Sequence, residues 1–318
     1  MREPGGSGHH VVVLGGVNTD YLVKGERLPK AGETLEGKEF QEAPGGKGAN
    51  QAVAVQRLGC RSALIARIGP EDRGTRMLGQ IAAEGVDVTF VRRDDRAATG
   101  VALIMVDGSG EKQILTAPGA NRRLTEADVA AAEEIIARSD VLLAQLEVPL
   151  AAVTLAFRLA RSAGARTVLD PAPAVPLPDD LLQMTDVIRP NASEAETLTG
   201  VPVRDRASAG QAARVLLDRG AGAAIVQSGG AGNLLVTSNE ARFFARIPVE
   251  SIDATGAGDA FAAALAVGLA EGQALPEAAA MGSAAAAIAT TRLGAQVALP
   301  RRDEVMRLLD RSAGNRQS

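Results

Sequence analysis

The strongest constraint on the fold is an alternation in the middle of the chain. Four short apolar runs, VLLAQ (141–145), RTVLD (166–170), DVIRP (186–190) and AAIVQS (223–228), are each preceded or followed by stretches of helical period, at 126–138, 151–163, 193–199 and 207–219. Runs this short and this continuously apolar read as strands buried on both faces, and parallel neighbours of that kind need helical crossovers between them. The expectation is an α/β fold with a mostly parallel central sheet flanked by helices. HVVVLGG (10–16) and SALIARIG (62–69) read as further strands, and 73–84 as a helix closed by Gly85. Two alanine-rich helices follow at 257–271 and 276–291, with a short one from Arg301.

Two regions break the pattern. Residues 19–44 and 99–118 are rich in turns and alternation and poor in helical period, and GSGE joins TGVALIMVD to KQILTA as a hairpin would. They read as a small β-sheet lid over the main body, or else as ordinary surface hairpins. No repeat or low-complexity linker divides residues 1–318, so a single domain carrying this lid is expected.

Composition removes whole classes of chemistry. The only histidines are His9 and His10, side by side in what reads as a tail. That excludes Ser-His-Asp triads, Cys-His dyads and His-Glu-x-x-His zinc sites, and leaves proton transfer to carboxylates. A net charge of −4 with scattered Lys and Arg argues against nucleic-acid partners. No apolar run is long enough to span a membrane. The opening MREPGGSGHH lacks the apolar run of a signal peptide, and Cys60 stands alone, so a cytoplasmic setting is expected.

Polar residues gather at strand exits: Glu147 after VLLAQL, Asp170 ending RTVLD, Asn191 after DVIRP, and Ser228, Gly229 and Gly230 after AAIVQ. Ligands of open parallel sheets bind beyond such ends. Two glycine-rich helix entrances add to the outline. APGGKGAN keeps the backbone bare at Gly45, Gly46 and Gly48 and adds Lys47 and Asn50, which suits a polyhydroxy ligand or a flexible loop. In DATGAGDAF, Gly256, Ala257 and Gly258 precede Asp259. Free N–H groups and a partial positive charge at a helix start accept a phosphate. A carboxylate beside them is either a dipole residue or a base for a hydroxyl attacking phosphorus. GETLEGK (32–38) lacks the Ser or Thr of a phosphate loop, and Phe261 breaks the dinucleotide fingerprint after Gly256 and Gly258. In PNASEAE, Ser193 and Glu196 have capping-box spacing, which leaves Asn191 and Glu194 to face the strand exits.

The ordered set GGVNTD, GGKGANQAVA, LEVP, DPAPA, PNASEAE, QSGGAG and DATGAGDAF resembles the ribokinase branch of the phosphofructokinase-B carbohydrate kinase family over nearly the whole chain. The resemblance implies a Rossmann-like ribokinase fold and ATP-dependent phosphorylation of a sugar, D-ribose at its 5-hydroxyl in that branch. It places the sugar against Asn18, Asp20, the loop Gly46, Lys47, Gly48, Ala49 and Asn50, Glu147 and Asp259. Asp259 becomes the base, and the N–H groups of Gly256, Ala257 and Gly258 the anion hole. ATP falls against Asn191, Gln227, Ser228, Gly229, Gly230, Ala231, Gly232, Gly258, Asp259 and Ser283. Glu194 would organise Mg²⁺ through water. K⁺ would sit by Asp253, Thr255, Ala289, Arg292, Gly294 and Ala298, most of them through backbone carbonyls with Asp253 adding the formal charge; the alternative is that Asp253 merely caps the turn. Gln227 and Ser283 depart from the commoner residues at those places, a phosphate-facing hydroxyl being either supplied by Ser228 or absent, and Ala298 stands where a serine is frequent. A homodimer through the lid is expected, because a lid has little core of its own beneath it. Kinases of deoxyribose, fructose or a nucleoside are alternatives, the last disfavoured by an aromatic content of 2%. A non-catalytic sensor or a dehydrogenase on the same plan is a more distant reading.

Overall fold

The computed structural model describes residues 8–108 and 110–314. Along the chain the strands are β1 (His10–Leu14), β2 (Asn18–Lys24), β3 (Glu39–Gly45), β4 (Arg61–Ile68), β5 (Val91–Arg93), β6 (Gly100–Val106) and β7 (Lys112–Ala117). They continue as β8 (Val141–Ala144), β9 (Arg166–Leu169), β10 (Val187–Ile188), β11 (Ala223–Gln227), β12 (Gly232–Thr237) and β13 (Ala241–Ala245). Among the described residues nine of these form one sheet in the order β13-β12-β11-β10-β9-β8-β1-β4-β5. Every pairing from β11 to β5 is parallel, and only the β11–β12 and β12–β13 pairings are antiparallel. Because side chains alternate along a strand, each central strand feeds two cores. Val11 and Val13 of β1 join the layer of the Lys47–Arg57, Ala257–Ala270 and Leu275–Ala289 helices, while Val12 and Leu14 join the layer of the Leu150–Ser162 and Arg206–Asp218 helices. That is why these strands are apolar throughout.

The two regions set apart in the sequence meet in a second sheet, ordered β3-β2-β6-β7. β2 pairs with β6 in parallel, and β3 and β7 close the edges antiparallel. This sheet has a thin core of Ala102, Ile104 and Val106, and its apolar side chains Phe40 and Leu115 remain 66% and 71% exposed. GETLEGK lies between β2 and β3, away from any helix start.

Several local expectations are corrected. The helix expected over 126–138 is two short ones, Glu126–Ala130 and Glu133–Ala137, although no glycine or proline separates them. His10 is not in a tail: it opens β1, its N–H donating to the Asp140 carboxylate at 2.8 Å. The β12–β13 hairpin has no counterpart in the sequence reading. Its turn is held by Thr237 Oγ1, which accepts the N–H groups of Asn239 and Glu240 at 3.2 and 3.1 Å, a weaker signature than Asn-Gly.

Candidate active site

The parallel strands deliver their exits to one edge, and two helices start there. Gly46 caps the Lys47–Arg57 helix at φ +88°, and a Cβ on Gly48 would lie 2.5 Å from the Gly15 carbonyl carbon. The bare backbone of this loop is therefore required first by its packing on the β1 exit. Gly256 caps the Ala257–Ala270 helix in the left-handed region at φ +79°, with no side-chain cap. Ala257 N–H donates to Ala254 O at 3.2 Å.

Between these two helix starts sits Asp259, 4% exposed. Asn50 Nδ2 donates to one of its oxygens at 2.9 Å and Gln51 Nε2 to the other at 3.0 Å. Lys47 Nζ stands 3.7 Å from Asp259 and 3.6 Å from Asp170, and the Lys47 N–H donates to Glu147 at 2.8 Å. Burial pushes the Asp259 carboxyl up, and Lys47 and the amide donors oppose it. Burial alone would lower the Lys47 ammonium, but Asp170, Asp259, Glu147 and Glu194 outweigh it and keep it charged. Asp20 is pushed up to about 7 by burial and by its neighbours Glu147 and Asp259, and Glu147 also to about 7, chiefly by burial. These groups are a dense set of hydrogen-bonding partners for hydroxyls. Asn18 accepts from Asn121 Nδ2 at 2.8 Å, and Asn50 Oδ1 is buried with no hydrogen-bond partner among the described residues.

On the other side of Lys47 and Asp259 opens a cavity of about 440 Å³. Asn191, Glu194, Gln227, Gly229, Gly230 and Gly232 line it, as do Gly256, Ala257, Gly258 and Ser283. Ser228 does not: it is 1% exposed and its hydroxyl donates to Gly232 O at 3.3 Å, so it offers no hydroxyl to a phosphate. Ala231 is exposed outside the cavity, and Ala49 is fully buried with its N–H on Gly16 O at 3.1 Å, so neither side chain meets a ligand there.

The capping box is also reassigned. Asn191, not Ser193, caps the Ala192–Thr199 helix, and Glu194 is its partner, accepting from Asn191 N at 2.8 Å and from Asn191 Nδ2 at 2.7 Å. Glu196 pairs on the surface with Arg204 at 3.4 Å. The cap holds Glu194 rigidly at the cavity wall, where burial and Asp170 push its carboxyl up. Each of its oxygens keeps a lone pair free, a donor set that fits Mg²⁺ through water. Among the described residues no cluster of three or more His, Cys, Asp or Glu side chains could hold a metal by itself.

The side chains expected around K⁺ are otherwise engaged. The Asp253 carboxylate accepts from Thr255 N at 2.8 Å, Thr255 Oγ1 at 2.7 Å and Gly294 N at 2.9 Å, and it is bound by the Lys112 ammonium from β7. Arg292 turns to Glu304, and Ala298 is a buried methyl. These side chains are thus committed within the chain, and the cation set against Asp253 is the Lys112 ammonium.

Arg189 was missed by the sequence reading. It is 7% exposed, its guanidinium lies 4.6 Å from the Phe261 ring centre, and its Nε has no hydrogen-bond partner among the described residues. A Cβ on Gly258 would lie 3.2 Å from its Nη1, so a fixed positive charge flanks the bare helix start. A buried carboxylate, the N–H groups of a bare helix start and a guanidinium around one cavity suit transfer of an anionic group to a hydroxyl.

Residues 9–302 match the pfkB family carbohydrate kinases. A ribokinase of Haemophilus influenzae is 43% identical over 300 residues, 94% of this chain and 98% of the relative. A deoxyribokinase of Salmonella typhi is 33% identical over 252 residues, 79% of this chain and 82% of the relative. The structure of Arabidopsis thaliana ribokinase complexed with ribose and ATP superposes with a TM-score of 0.86 at 31% identity, covering 95% of this chain and 99% of that one. The chain belongs to the pfkB family of carbohydrate kinases and is a sugar kinase.

Proposed function

We propose that this protein transfers the γ-phosphoryl group of ATP to the 5-hydroxyl of D-ribose, giving ribose 5-phosphate and ADP. The observation that carries the reading is the position of Asp259, buried at a bare helix start between the hydroxyl-binding groups and the cavity. The Haemophilus influenzae relative is named a ribokinase, and the Arabidopsis thaliana structure holds ribose and ATP. Asn18, Asp20, Asn50 and Glu147 would hold the sugar. Asp259 takes the proton of the attacking hydroxyl, whose oxygen bonds to the γ-phosphorus as the bond to the β,γ-bridging oxygen breaks. The N–H groups of Gly256, Ala257 and Gly258, with Arg189 beside them, meet the charge on the transferred group. Glu194 would hold Mg²⁺ through water, where the ion shields the phosphate charge. No step is assigned to K⁺. Cys60 as the only thiol fits a reducing compartment such as the cytoplasm.

The deoxyribokinase relative makes 2-deoxyribose the competing acceptor. Ribose should show the highest kcat/KM among ribose, 2-deoxyribose, fructose and adenosine. A missing 2-hydroxyl leaves a buried polar group unpaired, at about 1–3 kcal/mol, or roughly 5- to 150-fold. A higher value for 2-deoxyribose in parallel coupled assays would reassign the acceptor.

The lid is the proposed dimer contact. Phe40, Leu103, Ile114 and Leu115 are exposed on a sheet whose own core is three residues. Pairing with a second lid would cover them. Light scattering at micromolar concentration is expected to return the mass of two chains, and a monomer mass would remove the proposal.

A further inference from the structure

The carboxylate of Asp253 is almost wholly buried, and it lies three residues ahead of the bare Gly256. A buried carboxylate needs a counter-charge as well as hydrogen bonds. Its N–H and hydroxyl donors are local, from Thr255 and Gly294. Its counter-charge is not. The ammonium comes from Lys112, 141 residues away in sequence, at the first position of lid strand β7, and it also donates to Thr255 Oγ1. Arg292, two residues before the Gly294 that donates to Asp253, is committed to Glu304. One lid side chain thus bridges two groups of the segment that leads into the anion hole.

We propose that Lys112 is a positioning residue that carries the cation of the phosphoryl-binding loop on the lid. With the lid down, the ammonium neutralises Asp253 and fixes Thr255, and so the N–H groups that begin at Gly256. Lifting the lid withdraws the charge and leaves Asp253 to water or to a cation from solution. Enclosure of the sugar and ordering of the anion hole are then one event. The chain uses its own side chain where the family resemblance implies potassium. This rests on the sugar-kinase reading for its role in turnover, though the cation exchange itself needs neither sugar nor ATP.

The test compares the wild type with Lys112→Met in equal concentrations of potassium, sodium and tetramethylammonium chloride, the last too large to enter. Two quantities are read: kcat with ribose and ATP, and Tm without either. Wild-type kcat is expected to vary by less than about twofold among the salts, and its Tm not to depend on which salt is present. Lys112→Met is expected to lose roughly tenfold or more in kcat in tetramethylammonium, a barrier change of about 1.4 kcal/mol, and to recover most of it in potassium. Its Tm should rise in potassium over tetramethylammonium, because an ion bound only by the folded state stabilises it. A wild type as dependent on potassium as the variant would overturn the proposal. So would a variant that matches the wild type in every salt. If the variant does not fold, the wild-type salt series alone decides. A chain inactive on ribose would remove the proposed function, while the Tm series would still test Lys112.

Discussion

Asp259→Asn is expected to fold, to bind nucleotide and to lose kcat by roughly 10²–10⁴-fold or more, the usual contribution of a positioned base. The substitution keeps the shape of a side chain packed at 4% exposure in the first turn of its helix. One acceptor oxygen survives to receive Asn50 Nδ2 or Gln51 Nε2, which bond the carboxylate at 2.9 and 3.0 Å. The new amide presents N–H to the other donor, so a modest drop in stability accompanies the loss of activity. What disappears altogether is the ability to take a proton. Steady-state kinetics give the loss, and calorimetric titration with a non-hydrolysable ATP analogue checks that the cavity is intact. Near-normal turnover with unchanged analogue binding would remove Asp259 from the role of base.

The second large effect is expected at Lys47. Its ammonium lies 3.6 Å from Asp170 and 3.7 Å from Asp259, and it is the cation that opposes the upward shift of Asp259 and Glu147. Lys47→Met keeps the stem and deletes the charge. The remaining acids then stand as uncompensated buried charge, at a cost of about 3–5 kcal/mol near neutral pH. They respond by holding their protons. Asp259 is already pushed up by burial, and Glu147 sits at about 7, so both move further up. The acid limb of the kcat/KM profile should shift to higher pH, with roughly a 100-fold loss or more at pH 7 as Asp259 is increasingly protonated. The sign of the stability effect follows. A carboxyl whose pKa is higher in the folded than in the unfolded chain makes the folded state bind more protons, so stability is lost as pH rises from its unfolded value through its folded one. The Tm deficit of Lys47→Met should therefore be smaller at pH 5 than at pH 8. An unshifted acid limb, or a deficit that grows on acidification, would contradict the charge balance drawn here.

The sheet was legible because burial on both faces writes itself as continuous apolar runs, as in VLLAQ and AAIVQS. The bare helix start before Asp259 was legible for a related reason: glycines at a helix entrance are a local requirement. What local sequence could not supply was the choice between overlapping signals and the meeting of distant side chains. Ser193–Glu196 and Asn191–Glu194 both have capping spacing. The chain enters the helix directly from Pro190 after the two-residue strand β10, so the earlier pair caps it and takes Glu194 to the cavity wall. Nothing in the run DVIRP marks Arg189, and only the fold sets its guanidinium against Phe261 and Gly258. Ser228 looked exposed in a glycine-rich turn, yet its hydroxyl closes that turn on Gly232. Lys112 could not be read at all, since its partner Asp253 belongs to the other sheet's body and the reach depends on how the lid sits. The β12–β13 hairpin escaped because a threonine side chain, not a glycine pair, makes its turn.

The central claim is phosphoryl transfer from ATP to the 5-hydroxyl of ribose, with Asp259 as its base. The most direct measurement is ¹H–³¹P correlation spectroscopy of the products formed from ribose, ATP and Mg²⁺ by the wild type and by Asp259→Asn. The account predicts a phosphate ester coupled to the two C5 protons, formed in equal amount with ADP by the wild type, and almost none from the variant in the same time. Phosphate coupled to the C1 proton, ADP formed without any sugar ester, or equal product from both proteins would contradict it.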